Sequence, residues 1–286
     1  MNTQFWLIQA FNGISYGALL FLVGSGLSLI FGVMRIINLS HGSYFLLGGY
    51  VALSVIWTTG SWALALPVAA LAIAVVGLLM ERIFLRPLGF DPLRQVLLTV
   101  GFAFLFQQAA LDIWTGNNFD INPPEALTRS IVIGGLYLPL YRVFMIAMAA
   151  AIGLALWLVM EKTRMGAAVR ATVDDAQMAR GVGIDTSRIS MFIFALGAFL
   201  AALGGVIGGA FLGIYPGLDF EMLPIAFAVV IIGGMGSLGG AAIGALLVGL
   251  ADNFGKALFP EVSYFTLYAP MALILAVKPT GLFGRE

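Results

Sequence analysis

Residues able to do chemistry are few in this chain, and their densest run is Gly32-Val33-Met34-Arg35-Ile36-Ile37-Asn38-Leu39-Ser40-His41-Gly42. Arg35, Asn38, Ser40 and His41, the only histidine, interrupt a stretch that otherwise reads as membrane-buried from Phe5 to Trp57. Hydrocarbon does not solvate such groups, so they should face the protein interior or a water-filled path. The chemistry open to them is hydrogen bonding, either to a polar solute or to backbone groups freed by a break in a helix. His41 suits both roles, lining a path or pinning the break. Asn38 can cap exposed backbone there. Arg35, at the inner end of the first helix, is placed to snorkel to the interface.

A second interruption lies at Gly233-Gly234-Met235-Gly236-Ser237-Leu238-Gly239-Gly240. Two Gly-broken apolar segments in corresponding positions of two halves are the pattern of a transport pathway. The residues expected to line it are Asn38, Ser40, His41, Gly42, Gly233, Gly234, Gly236 and Ser237.

Other chemistries lack their residues. The phosphate-loop pattern G-x-x-x-x-G-K-[ST] is missing, so the chain is not expected to hydrolyse a nucleotide. No nucleophile, base and orienting group converge by any recognisable motif. With no cysteine and one histidine, thiolate and multi-histidine metal sites are excluded. The carboxylates nearest to membrane are Glu81, Asp112, Glu161, Asp219, Glu221 and Asp252, all at expected helix ends or in loops, whereas proton-coupled carriers place carboxylates mid-span. Fourteen basic residues balance fourteen acidic ones, which leaves no nucleic-acid footprint.

The elements that position these residues follow from composition. Of 286 residues, 61% are hydrophobic and only 10% charged, against roughly 25% charged in a soluble domain. The chain reads as an all-α polytopic membrane protein, a single transmembrane domain over 1–286. About 20 apolar residues cross the hydrocarbon core. On that measure helices fall near 5–33, 40–57, 62–82, 96–113, 141–160, 189–213, 221–233, 238–252 and 264–279, giving eight or nine crossings. The segments at 221–233 and 238–252 are short; they are either half-spans meeting near the midplane or two thin tilted spans. The glycine density from 233 to 240 favours a broken helix. The N-terminus has no basic n-region or cleavage site and reads as a first span.

Arg82, Arg86 and Arg94 lie in one connection, and Lys162, Arg164, Arg170, Arg180 and Arg188 in another. Lys278 and Arg285 lie in the C-terminal tail. The positive-inside rule places these in the cytoplasm and the 114–141 loop outside. Opposite termini require an odd number of crossings, which favours nine. Within 114–141, Ser130–Leu138 reads as a hairpin turning at Gly134-Gly135. Trp57, Trp62, Trp114 and Tyr141 read as interfacial anchors. Pairs such as Gly13/Gly17, Gly204/Gly208 and Gly240/Gly244 suit close helix packing.

The cytoplasmic loop 161–188 holds more than a linker. Met165 to Arg180 reads as one short amphipathic helix, with Arg170 and Asp174 four residues apart. Gly181 and Gly183 end it, and Asp185 or Thr186 can cap the next helix. Such a helix suits docking by another protein; a solvated or lipid-lying surface helix is the alternative. A pore without its own energy source but with a docking helix points to a permease driven by a separate ATPase. A passive channel, which needs no docking helix, is the competing reading.

The run Gly26–Gly42, then Leu47-Gly48-Gly49-Tyr50-Val51-Ala52, resembles the shorter permease subunit of branched-chain amino acid type ABC importers. Arg86-Pro87-Leu88, Thr99-Val100-Gly101, Arg170-Ala171 with Asp174, Ala179, Gly183-Ile184, Gly233–Gly244 and Pro279–Gly284 match in place. The resemblance implies a multi-pass protein of a bacterial or archaeal cytoplasmic membrane, C-terminus inside, surrounded by membrane lipid. It implies a homologous second permease, two ATPase subunits that bind the ATP and Mg, and an extracytoplasmic substrate-binding protein. It also implies that 165–184 is a coupling helix, with Arg170, Asp174, Asp175, Ala176, Ala179 and Gly183 meeting the ATPase. The general permease signature survives only as Asp175-Ala176-Gln177 with Gly181. Ser40 and Ser43 stand where Ala and Glu are expected. Related permeases carry urea, short amides and aromatic acids, so cargo is not fixed by the resemblance.

Overall fold

The computed structural model describes residues 3–89 and 91–284, with 264 and 267 described by backbone alone. Arg285, one of the basic residues assigned to the inner side, lies outside these. Every expected helix is present. They are α1 (Thr3–Met34), α2 (His41–Thr59), α3 (Trp62–Leu79), α4 (Pro92–Trp114), α5 (Leu140–Lys162), α6 (Arg164–Asp174), α7 (Ala176–Gly181), α8 (Thr186–Leu212), α9 (Leu218–Gly233), α10 (Leu238–Leu258) and α11 (Ser263–Val277). Beyond α3 the helix continues as a π-helical turn, Met80–Leu85, and a 3-10 turn, Arg86–Leu88. The expected hairpin forms from β1 (Ser130–Ile133) and β2 (Leu136–Pro139), with Ile133 opposite Leu136. Among the described residues six helices, including α1, α4, α5, α8 and α10, are long and apolar enough to cross a membrane.

Glycine lets the buried helices meet. Gly13 and Gly17 of α1 pack on Gly249 and Ala245 of α10, and Gly204 and Gly208 of α8 pack on Phe45 of α2. In α8, a Cβ on Gly205 would overlap the Phe45 carbonyl. With no water to expel between helices in lipid, backbone proximity of this kind supplies the packing energy. The core therefore sits where α1, α2 and α8 meet, and α3, α9 and α10 close around it.

Two ends can be distinguished. At one, the end of α1 (Val33, Met34), the 86–89 corner, Thr172 of α6, Arg180 of α7 and Thr186 of α8 surround a common cavity. The tail reaches the same end, where Leu282 and Phe283 N–H donate to Ile232 and Gly233 of α9 (both 3.0 Å). At the other end the β-hairpin lies beside Gln4, and Phe119 bridges Ile214 between the loops that follow α4 and α8. The described chain thus starts at one end and finishes at the other.

Two local expectations change. Tyr141 is not an interfacial anchor: it is buried, and its hydroxyl donates to Ile207 O of α8 at 2.6 Å. Trp114 turns inward as well, stacking on Tyr50 at 5.0 Å with Nε1 donating to Ser54 (2.7 Å), while Trp57 is exposed. An aromatic residue near a span end packs inward when a buried acceptor can take its polar hydrogen.

Candidate functional site

The run from Arg35 to Gly42 breaks the helix as its composition suggests. Arg35 N–H closes the last turn of α1 on Phe31 O, and Arg35 then takes a left-handed conformation (φ 53°), the usual cap position of a glycine. The chain turns back along α1. Thr99 of α4 holds the returning segment, accepting from Leu39 N–H at 3.2 Å. Asn38 Oδ1 accepts from both Ser40 N–H (3.1 Å) and Ser40 Oγ (2.7 Å), which is the cap expected of it. His41 Nε2 donates to Val23 O at 3.0 Å. Val23 is roughly 16 Å up the helix from Met34, at 1.5 Å per residue. So α2 begins part-way along α1, and every residue from Ser40 to Tyr50 is buried.

This brings Asn38, Ser40, His41 and Gly42 together, and adds residues that sequence pattern did not assign. Met80 Sδ accepts from Tyr44 Oη (2.9 Å) and Ser40 Oγ (3.7 Å). Ser43 donates to Asp219 Oδ2 at 3.1 Å, and a Cβ on Gly42 would collide with the Asp219 carbonyl. Asp219 is at the helix end expected, but it is buried against α2 rather than facing an aqueous loop. Spacing could not reveal it, because 176 residues separate it from Ser43. Asn38 Nδ2, His41 Nδ1, Tyr50 Oη and Asp219 Oδ1 here, with Trp62 Nε1 on α3, are the buried side-chain polar atoms without a hydrogen-bond partner among the described residues. Polar atoms left so inside apolar surroundings are costly, and their concentration here marks the region off from ordinary core.

The second glycine cluster is placed differently. Gly233 ends α9, and Gly234 and Gly236 turn with φ 105° and 81°. Ser237 then caps α10, its Oγ accepting from Gly240 N–H at 3.0 Å. Gly233 faces Gly240, and Gly244 faces Val229, so α9 and α10 lie side by side. They are two antiparallel helices joined by a tight turn rather than half-spans meeting end to end. The turn sits at the inner end of α1, where Ser28 Oγ donates to Ser237 O (3.3 Å) and Gly236 abuts Gly32. Gly233, Gly234, Gly236 and Ser237 therefore stand lower along α1 than His41. Among the described residues no hydrogen bond links the two clusters.

The loop 161–188 is helical but in two pieces. Asp175 has extended backbone (φ −153°, ψ 103°) and accepts from Gln177 N–H and Met178 N–H at 2.8 and 2.9 Å, so it starts α7 instead of continuing α6. An aspartate prefers that capping role to a helix interior. Arg170 reaches back to the end of α5, donating to Met160 O and pairing with Glu161 at 3.8 Å. Asp174 is exposed, Ala176 half-buried and Ala179 buried within this chain. Gly183 (φ 88°) turns the chain, and Ile184 N–H returns to Ala179 O at 3.0 Å. The apolar side chains offered outward by α7 and its cap are Met178 and Val182, 68% and 74% exposed, where the resemblance points to Ala179. Asp185 caps α8 at Arg188 N–H, 3.1 Å.

With this geometry in hand, similarity to known proteins is informative. The family described as branched-chain amino acid transport system / permease component matches residues 9–275. The high-affinity branched-chain amino acid transport system permease protein LivH of Escherichia coli K12 is 32% identical, over 100% of this chain and 98% of that protein. BraD of Pseudomonas aeruginosa, a permease protein of the same description, is 28% identical over 98% and 96%. LivM of E. coli K12 is 27% identical over 91% of this chain but only 67% of its own length, in line with the shorter of two permease types. Matched from near its first residue to near its last, the chain belongs to the permease-component family of branched-chain amino acid transport systems.

Proposed function

We propose that the chain is a permease subunit of an ATP-driven ABC importer in the cytoplasmic membrane of a bacterium or archaeon. It pairs with a homologous second permease to form the translocation path. Two separate ATPase subunits bind ATP and Mg and supply the energy, and an extracytoplasmic binding protein delivers the cargo. The cargo is a branched-chain amino acid or a similar small polar solute.

The observation that carries this reading is the α6–α7 element. It hangs between two long apolar helices at the end where the basic residues cluster, is capped at Thr163, Asp175 and Asp185, and offers Met178 and Val182 outward. Two exposed apolar side chains on a rigid, capped loop form a docking surface that a solvated helix does not need. Arg170 anchors the element to α5, whereas Met178 and Val182 meet the ATPase. Asp174, Asp175, Ala176, Ala179 and Gly183 set its shape. The polar break at 35–42 lines the path from this subunit's side.

Co-expression with the second permease and the ATPases tests the reading. Met178→Glu with Val182→Glu should leave membrane levels unchanged while the ATPases no longer co-purify and ATP-driven leucine uptake is lost. Normal uptake by this double variant would make α7 a plain surface helix. A competition panel of leucine, valine, urea, acetamide and benzoate then sets the cargo class.

A further inference from the structure

The α3–α4 corner carries an ion pair between a buried carboxylate and an exposed guanidinium on an unusual helix turn, and neither the path nor the docking surface accounts for it. Glu81 is 2% exposed, and Arg86 binds it through Nη2 (3.0 Å) and Nε (3.3 Å). Both sit on the π-helical turn Met80–Leu85 and its junction with the 3-10 turn. π-Turns occur as single-turn bulges that concentrate at functional positions. A pair with its guanidinium open to solvent adds little net stability, because solvent screens much of its attraction. Folding alone gives no strong reason for it.

The contacts on either side of the turn supply a reason. Arg86 Nη2 also donates to Ser187 O at 3.1 Å, in the first turn of α8. Ser187 follows the Gly183 turn, and Ile184 is bonded to Ala179, so this stretch is continuous with α7. On the opposite side Met80, adjacent to Glu81, takes hydrogen bonds from Tyr44 and Ser40, and Ser40 is held by Asn38. This stretch of helix thus touches the polar break through Met80 and, through Arg86 held by Glu81, the start of α8. Beside it lies a cavity of about 200 Å³ bounded by Glu81, Arg86, Thr172, Ala176, Arg180 and Ser187. The loop helices do not pack solidly against the corner there, which leaves room for them to shift.

We propose that Glu81 is a positioning residue for transport: with Arg86 it makes the Met80–Leu85 turn a lever that passes movement of the α6–α7 loop to the Asn38–Tyr44 break. This rests on the ATPase-coupled reading above. The pair fixes Arg86 on Ser187, so displacement of α7 and the start of α8 pulls on the turn. Met80 moves with Glu81 and shifts the hydrogen bonds of Ser40 and Tyr44. The charge is needed because a bidentate guanidinium–carboxylate contact holds direction as well as distance.

The test uses the whole importer in proteoliposomes, measuring ATP hydrolysed per leucine taken up, with thermal unfolding of the complex as a second readout. Two variants are compared, Glu81→Gln, which keeps the shape, and Glu81→Leu with Arg86→Leu, which removes both charges together. Both should unfold near the wild-type temperature and hydrolyse ATP at near wild-type rate, with the ATP-to-leucine ratio raised roughly three- to thirtyfold. Met80→Leu, which keeps the volume and removes the sulfur acceptor, should raise it too. A wild-type ratio in both variants, with the wild-type complex coupled, overturns the lever. Equal loss of hydrolysis and uptake with a lowered unfolding temperature shows that the pair is only structural. Failure of the wild-type complex to couple uptake to ATP overturns the importer reading instead.

Discussion

At the level of single side chains, Asn38 shares the break between α1 and α2 with Thr99 and His41. The Asn38 carbonyl oxygen satisfies both the N–H and the hydroxyl of Ser40 in a place where no water competes. Asn38→Ala leaves the Ser40 N–H unpaired and the hydroxyl with only its longer contacts to Tyr44 and Met80, and should cost about 1–3 kcal/mol. Unfolding of the purified chain in detergent measures this, and an unchanged midpoint would show that Ser40 finds other partners. His41 could be read from sequence as the group that lines a path or the group that pins a break. Its bond to Val23 O is a pinning contact, while its other ring nitrogen is left without a partner. Ala179 shows what periodicity misses. Helical spacing picks out an apolar stripe but does not say which side of the stripe meets its own chain. Ala179→Trp should therefore lower the amount of folded chain even without ATPases present, whereas Met178→Trp should not. Membrane levels of the two variants, expressed alone, separate these.

Among the elements, the long helices were legible because apolar runs of membrane length admit few other structures. The hairpin at Gly134-Gly135 and the cap at Asp185 were legible because turn and cap chemistry is local. What the sequence left open depends on packing between distant segments. Gly233–Ser237 looks the same whether it breaks a helix at mid-depth or turns one helix back beside another. The contacts of Gly32 with Gly236 and Gly233 with Gly240 make it a turn. Asp219 and Thr99 join the polar break only because α9 and α4 pack against it. Small-residue spacing did predict close packing, and that packing makes a sharp forecast. Gly205→Val places branched carbons against the Phe45 carbonyl and should cost about 1–3 kcal/mol or more. Gly101 has nothing within 4 Å of a built Cβ, so Gly101→Ala should be neutral or stabilising by up to about 1 kcal/mol. Loss of folded protein in both variants, or in neither, would contradict this placement of α2 on α8.

For the whole molecule, the two ends give the orientation its physical content. The basic residues of 81–95 and 161–188 gather with the tail at one end, and the 114–141 loop stands at the other. Because the chain has no cysteine, single cysteines report topology without background. A membrane-impermeant thiol reagent should label Asn118→Cys in intact cells and leave Met178→Cys unlabelled until the membrane is opened; the reverse pattern inverts the molecule. The central claim is that this chain provides a path and a docking surface but no energy. Proteoliposomes test it most directly, with labelled leucine outside and the transport measured against its gradient. The chain with its second permease, the ATPases and the binding protein should accumulate leucine only when ATP is supplied, and the chain alone should accumulate none. Accumulation by the chain alone under a proton gradient, with no ATP present, would contradict the account.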